Sequence, residues 1–154
     1  MATKVTAQTA TVTITETITL NGVARSGKTT VDIPSVGEVK SGIMSVTDSS
    51  TGSLVMTIGA TASFTGTLTS IKYIRLTNLD DENFISIRIR GAADTFGTKI
   101  DAGKSIVWSN LSMNAIAGSD FDIAPMVSGF EDLAEISALA DTAACDLEYY
   151  ILST

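Results

Sequence analysis

A run of alternating residues near the amino terminus most restricts what this chain can fold into. From Thr9 to Leu20 the sequence reads TATVTITETITL, with threonine at every odd position and, except at Glu16, an apolar residue at every even one. Side chains along a β-strand point alternately to its two faces, and β-branched threonine suits an extended backbone. The segment therefore predicts a long strand with a hydroxyl face and an apolar face, in a sheet that has one side in water.

Shorter segments with strand character follow, and no alternation of strands with helical patterns appears. The predicted strands are 28–33 before Pro34, 36–46, 53–58, 68–77, 84–90, 98–108 around a tight turn at Gly103, and 146–152. Residues 59–66 and 110–129 read as irregular, and 130–140 fits either a helix or a strand, with a strand preferred because a turn follows it. The spacing of about eight to ten short strands is typical of an all-β sandwich or barrel.

Three predicted strands carry more detailed information on which residues share a face. Between residues 68 and 77, Ile71 and Tyr73 fall on one face while Ile74 and Leu76 fall on the other, which predicts a bulge or burial on both sides. In 84–90 the three isoleucines alternate with Ser86, Arg88 and Arg90. In 146–152, Leu147, Tyr149 and Ile151 share a face.

The length and composition predict one folded domain. The 154 residues are 44% hydrophobic, which can supply a single core. Residues 1–8 read as a polar amino-terminal arm and residues 9–154 as one β-sandwich domain. Asn21-Gly22 is a strong signal for the turn of a hairpin.

The charged and reactive residues argue against several classes of function. The net charge is −7 and the ten basic residues are scattered, with Arg88 and Arg90 the tightest pair, so we expect no nucleic-acid partner. The chain has no histidine and one cysteine, Cys145, which removes the usual general base and any cysteine-based zinc site within one chain. No apolar run approaches the roughly 20 residues of a membrane helix, and no signal peptide is visible. We therefore expect no membrane partner and no cofactor.

One motif matches a nucleotide-binding pattern. Residues 22–29, GVARSGKT, fit the form G-x-x-x-x-G-K-T in full. A phosphate-binding loop of this type opens a helix, whose amino-terminal N–H groups face the phosphates. Here the sequence continues with Thr30, Val31, Asp32, Ile33 and Pro34, which are unsuited to a helix. We predict a polar hairpin loop that binds no nucleotide.

Other polar and aromatic groups also have simpler explanations. The segment 78–83 is rich in Asn and Asp but lacks calcium-loop spacing, so a turn is expected. A glycosidase needs a pair of carboxylates, and nothing in the sequence selects one; the available carboxylates are Asp80, Asp81, Asp120, Asp122, Glu131, Asp132, Asp146 and Glu148. A sugar-stacking platform is a second option for the aromatic residues Trp108, Tyr73, Tyr149 and Tyr150, although Trp108 and Tyr149 fit core positions better. We predict no catalytic, cofactor-binding or metal-binding residue, and a buried apolar role for Cys145.

The second half of the chain resembles a family of small structural proteins in tailed-phage virions. The resemblance rests on TNLDDENFISIRIRG, GTKIDAGKSIVW and the closing LEYYIL, within residues 71–152. In that family a core strand ends in an Asn turn, an Ile-x-Ile strand and a glycine hairpin follow, and a terminal strand closes the sandwich. The resemblance implies a jelly-roll-like antiparallel sandwich without catalytic residues.

The resemblance also implies a role and partners. The preferred role is capsid decoration, or cement, in which the protein binds the major capsid protein or other virion proteins and bridges capsid subunits. The protein would be made in the host cytoplasm and lie on the outer capsid surface. Unpaired sheet edges and the sparsely charged first strand predict a homo-oligomer, a dimer or a trimer. The alternatives are a phage receptor- or carbohydrate-binding module and, more remotely, a nucleotide-hydrolysing enzyme.

Overall fold

The protein is built from β-strands and turns. A computed structural model describes residues 6–57, 71–91, 95–109 and 133–153, and these residues include no helix. The irregular segments predicted at 59–66 and 110–129 lie outside the described residues. The strands are β1 (Gln8–Glu16), β2 (Thr19–Leu20), β3 (Val23–Ala24), β4 (Gly27–Val36), β5 (Glu38–Val46), β6 (Ser53–Thr57), β7 (Ile71–Asn78), β8 (Ile85–Gly91), β9 (Thr95–Ile100), β10 (Ser105–Ser109), β11 (Leu133–Ala140) and β12 (Cys145–Ser153).

Strands β5 to β12 pair in a nested order. β5 pairs with β12, β6 with β11, β7 with β10 and β8 with β9, all antiparallel, as in one long hairpin that has rolled up. Further pairing of β12 with β7 and of β11 with β8 completes two four-stranded sheets. Sheet I has the order β10-β7-β12-β5 and sheet II the order β6-β11-β8-β9. This is the jelly-roll form of the antiparallel sandwich, and it confirms the predicted fold class.

The main core lies between the two sheets and is made almost entirely of aliphatic side chains. Its most buried members, each at most 2% exposed, are Val46, Ile74, Leu76, Cys145, Leu147 and Ile151 from sheet I and Val55, Met56, Ile85, Ile87, Ile89, Ile100, Ile136, Ala138 and Ala140 from sheet II. The alternation predicted for strands β8 and β12 is therefore confirmed. Burial of one such large side chain contributes about 1.5–3 kcal/mol, so this layer supplies most of the favourable folding free energy.

Strands β1 to β4 form a two-stranded ribbon, residues 8–36, that precedes the sandwich. Pairing runs in one register from Thr11 opposite Asp32 to Leu20 opposite Val23. Between the β1–β4 and β2–β3 strand pairs, the Arg25 N–H donates to the Ile18 carbonyl at 2.8 Å, in the same register. The predicted turn at the end is confirmed, with φ of 50° at Asn21 and 77° at Gly22. Positive φ at both central residues is what a two-residue type I′ hairpin turn requires.

Within the described residues, the ribbon contacts the sandwich near its base alone. There Ile33 and Val36 are buried against Tyr73 and Leu152 on the outer face of sheet I, whereas every residue from 13 to 26 is exposed. The predicted long strand therefore exists, but beyond the base both of its faces meet water. The prediction of a one-sided sheet was wrong here because, among the described strands, β1 pairs with β4 alone and no second layer covers the pair beyond its base.

Two strand details differ from the sequence-based expectation because of bulges. β4 continues through Pro34 to Val36, because Gln8 pairs with Val36 and Ala10 pairs with Ile33. This register leaves one extra residue on β4, so Pro34, which has no N–H to donate, lies in a bulge. The bulge predicted for β7 is present: Leu152 pairs with Tyr73 but Ser153 pairs with Ile71, which leaves Lys72 as an extra residue, so Ile71 and Tyr73 lie on opposite faces and the prediction that they share a face was wrong. Ile71 therefore joins the main core, whereas Tyr73 faces the ribbon.

The turn at Gly103 joins the two sheets. Gly103 has φ of 65°, as expected for a tight turn, but β9 pairs in sheet II and β10 pairs in sheet I. The hairpin implied by the family resemblance is thus a corner between sheets. The nested pairing requires this corner, because β9 pairs with β8 in sheet II whereas β10 pairs with β7 in sheet I.

A buried asparagine fixes the turns at this end of the sandwich. The Asn78 side chain is fully buried, and its amide donates to the carbonyls of Asn83 at 2.8 Å and Ile100 at 3.2 Å. Its oxygen accepts from the Asp80 N–H at 3.0 Å. One side chain therefore ties the 78–83 turn to the end of β9. The expected Asx-rich turn is confirmed.

Replacing Asn78 by alanine should lower the free energy of unfolding by about 2–4 kcal/mol, because three backbone groups lose their partner in a buried setting. Urea unfolding followed by tryptophan fluorescence measures the change. The exposed neighbour Asp81, replaced by alanine, should change stability by less than about 0.5 kcal/mol. Equal effects of the two substitutions would show that the Asn78 bonds are unimportant.

Asp80 should make stability depend on pH. Backbone N–H groups of Asn83 and Glu82 donate to its carboxylate and hold its pKa below 3.8 in the folded chain. Because the pKa of Asp80 is lower in the folded chain than in the unfolded chain, its ionised carboxylate stabilises the fold above the unfolded pKa, about 4. This stabilisation is lost as pH falls through the folded pKa. The stability difference between wild type and Asp80→Asn should therefore shrink in unfolding titrations taken from neutral pH to about pH 3. A constant difference would contradict this.

Candidate functional site

The acidic residues do not assemble into a catalytic or metal-binding group in the described part of the chain. No set of three or more His, Cys, Asp or Glu side chains there is placed to hold a metal ion. Glu148 forms an ion pair with Arg75 at 2.6 Å, and Asp80 is engaged in its turn. Asp81 and Asp146 are exposed, and Asp120, Asp122, Glu131 and Asp132 lie outside the described residues.

The segment that matches a phosphate-binding loop lies at the end of the ribbon. Gly22 is in the turn, and Gly27, Lys28 and Thr29 begin β4, where they pair with Glu16, Thr15 and Ile14. Successive N–H groups of an extended strand point in opposite directions, so they cannot converge on one phosphate as the amino terminus of a helix does. The helix that the motif needs is absent from residues 23–36.

Nucleotide titrations should give no saturable binding. Isothermal titration with Mg-ATP or Mg-GTP at millimolar concentration should give the same heats for wild type and Lys28→Ala, because the motif is strand and turn. Saturable binding that Lys28→Ala abolishes would overturn this interpretation.

The aromatic residues and the cysteine serve packing. Trp108 and Tyr149 pack against the main core, and Tyr73 meets Tyr150 edge-on with 6.3 Å between ring centroids and 79° between planes. These rings lie on opposite faces of sheet I and form no common platform. Cys145 is 1% exposed, and burial raises the pKa of its thiol, so it behaves as a small apolar residue as predicted.

The tightest basic pair is neutralised in part by an acidic residue from the neighbouring strand. On the outer face of sheet II, Arg88 and Arg90 each place a guanidinium nitrogen 2.8 Å from a different oxygen of Glu135. Arg88 also donates to the Ser137 hydroxyl at 2.9 Å. Sequence reasoning missed Glu135 because it lies on β11, more than 40 residues away. The arrangement leaves little free positive charge for a phosphate backbone.

Beside this group lies a shallow depression of about 500 Å³. The turn between β5 and β6 forms one wall, and strands β8, β9 and β11 form its floor. Its polar lining includes Ser50, Thr51, Ser86, Ser137, Arg88 and Lys99. Hydroxyl groups and the two cations, which already pair with Glu135 and Asp101, offer hydrogen bonds to a polyhydroxylated or anionic molecule, but none of the described lining residues is aromatic.

The ribbon presents the other candidate surface, and its two faces differ completely. One face carries hydroxyls, with Thr11 donating to Asp32 at 2.8 Å and Thr13 3.4 Å from Thr30. The opposite face carries Ala10, Val12, Val31 and Ile33 at the base, packed on the sandwich. Towards the turn it continues as exposed apolar residues that we name the tip stripe: Ile14 (45% exposed), Ile18 (47%), Leu20 (55%) and Val23 (54%).

The tip stripe is an unusual feature for a water-exposed element. Contiguous exposed apolar patches commonly mark interaction sites, whereas single exposed apolar residues do not. A two-stranded ribbon is also only marginally stable without a packing partner. The sequence alternation predicted the apolar face, but it carried no signal that this half of the face is left uncovered.

Comparisons with known proteins add no assignment. No protein-family model, no curated protein and no solved structure matches this chain. Among the described residues, no helix is long and apolar enough to cross a membrane.

Proposed function

We propose that this protein is a non-enzymatic structural protein of a tailed-phage virion. In this proposal it decorates the outer surface of the capsid and bridges subunits of the major capsid protein, as an oligomer. The observation that carries the proposal is a jelly-roll sandwich with a projecting ribbon whose apolar tip stripe is exposed. Jelly rolls are common among viral capsid and lectin domains, so the fold supports a role in assembly or recognition by analogy only.

The surface chemistry supports binding to protein rather than to nucleic acid. With a net charge of −7, the protein would be repelled by packaged nucleic acid, which favours the outer surface of a particle. The described surface combines an apolar ribbon tip, hydroxyl-rich strands and few unpaired cations. Such a surface suits contact with other protein subunits.

Bridging requires no strong single contact. A standard protein interface buries about 1,600 Å², and association costs offset much of the gain. A subunit that touches two or more capsid proteins gains affinity through effective concentration. We therefore expect tight binding to assembled shells and weak binding to separate capsid subunits.

Binding to empty shells of the source phage tests this proposal. Purified protein should co-sediment with shells, bind isolated capsid subunits at least about tenfold more weakly, and raise the temperature at which shells break. Bovine serum albumin at the same concentration is the negative control. Failure to bind shells, or equal affinity for shells and free subunits, would contradict capsid bridging.

The polar depression favours a second candidate, recognition of a glycan or receptor. Its hydroxyls and the Arg88 guanidinium suit hydrogen bonding to sugar hydroxyls or to an acidic sugar. A glycan array with wild type and Ser137→Ala tests this candidate, because Ser137 lines the depression. Retention of a glycan by wild type, reduced by Ser137→Ala, together with no binding to shells would favour recognition over decoration.

A further inference from the structure

The ribbon tip carries a pattern that is complementary to itself. Four pairs of residues face the same way in order along it: Ile14 with Thr29, Glu16 with Gly27, Ile18 with Arg25, and Leu20 with Val23. Apolar side chains thus occupy both ends of the tip, and one acidic and one basic side chain lie at its centre. The four pairs span roughly 20 Å at the rise of a β-strand.

The two central charges have no partner within the described chain. Neither Glu16 nor Arg25 belongs to an ion pair among the described residues. A Glu16 carboxylate oxygen lies only 2.8 Å from the place where a Cβ on Gly27 would be. Glycine at this position therefore lets the carboxylate lie across the middle of the apolar face.

We propose that two copies of this chain pair through their ribbon tips, face to face and antiparallel, about a two-fold axis. The axis passes between the Glu16–Gly27 and Ile18–Arg25 pairs. This places Ile14 opposite the partner's Leu20, and it places Glu16 beside the partner's Arg25. In a two-fold dimer each contact occurs twice, because the same surface of both copies forms the interface.

The charge distribution favours a second copy as the occupant. The ribbon contains two acidic residues, Glu16 and Asp32, and two basic residues, Arg25 and Lys28, whereas the whole chain has a net charge of −7. Pairing through the neutral ribbons brings the opposite charges of Glu16 and Arg25 together and leaves the acidic sandwiches apart. The hydroxyl faces of both ribbons stay in water.

The stripe also continues an interface that already exists within one chain. The same face of the ribbon packs on the sandwich at its base through Val12 and Ile33, and it loses this cover from Ile14 onward. A second ribbon extends the cover to the tip. The contact is smaller than a standard interface of about 1,600 Å², so the dimer should be reversible and concentration-dependent.

Sedimentation velocity over a range of concentrations tests the proposal with the purified full chain. Wild type should move from 16.0 kDa towards twice that mass as concentration rises. Ile18→Ser should weaken association at least about tenfold, since Ile18 lies next to the two-fold axis and its buried apolar area is lost twice per dimer. Ile43→Ser is the matched control, because Ile43 is 62% exposed on strand β5 and is not part of the ribbon, so its replacement should leave association unchanged. Circular dichroism checks that both variants fold.

Charge reversal and cross-linking test the arrangement of the two ribbons. Glu16→Arg and Arg25→Glu should each weaken the dimer, and the double variant should restore it. Because stacked β-layers lie about 10 Å apart, a short bis-maleimide cross-linker should join Ile14→Cys chains to Leu20→Cys chains in a mixture, whereas it should link neither chain to itself. Wild type is the control, since its Cys145 is buried.

Three results would overturn the inference: a monomer at all concentrations, equal loss of association in Ile18→Ser and Ile43→Ser, or no rescue by the double charge reversal. The inference does not depend on the proposed function, because these measurements contain no shells. If the stripe instead binds a capsid protein, wild type will stay monomeric and Ile18→Ser will lose shell binding, which refutes the self-pairing alone.

Discussion

The sandwich depends on burial of the inward faces of its central strands. β7 and β12 in sheet I and β8 and β11 in sheet II place fully buried aliphatic side chains against each other. Because side chains alternate along a strand, each of these strands has a second face that must meet water or another layer. Much of the rest of the structure concerns how those outer faces are treated.

The two outer faces are treated differently. On sheet I, the ribbon base covers Tyr73 and Leu152, and the Arg75 guanidinium lies between Glu148 and the Tyr150 ring, 6.0 Å from its centroid. On sheet II, Glu135 holds two arginines, and hydroxyl groups line a depression. Exposed ion pairs contribute about 0–1 kcal/mol each, so these groups shape the surface more than they stabilise the fold.

The ribbon follows the same alternation without enough cover. It has one apolar face, like a core strand, but the sandwich reaches only its base. Folding alone does not account for the apolar residues at its tip, since exposed isoleucine and leucine contribute little to the stability of an isolated ribbon. The proposed pairing of two ribbons would account for them, with Glu16 and Arg25 fixing the relative orientation of the two copies.

The sequence by itself determined where most strands lie and which of their residues are buried, because alternation is a local property. It located the isoleucines of β8 and the Asn21-Gly22 turn, and at β11 it left a helix and a strand open with the strand preferred. It predicted a bulge or burial on both sides in β7, but it did not determine that Ile71 and Tyr73 lie on opposite faces, the corner at Gly103, or the meeting of Arg88 with Glu135. Those follow from nested pairing, which joins residues as far apart as Glu38 and Ser153, 115 positions along the chain. Only the tertiary structure decided that the ribbon projects, because the cover over an apolar face depends on what packs beside it in three dimensions.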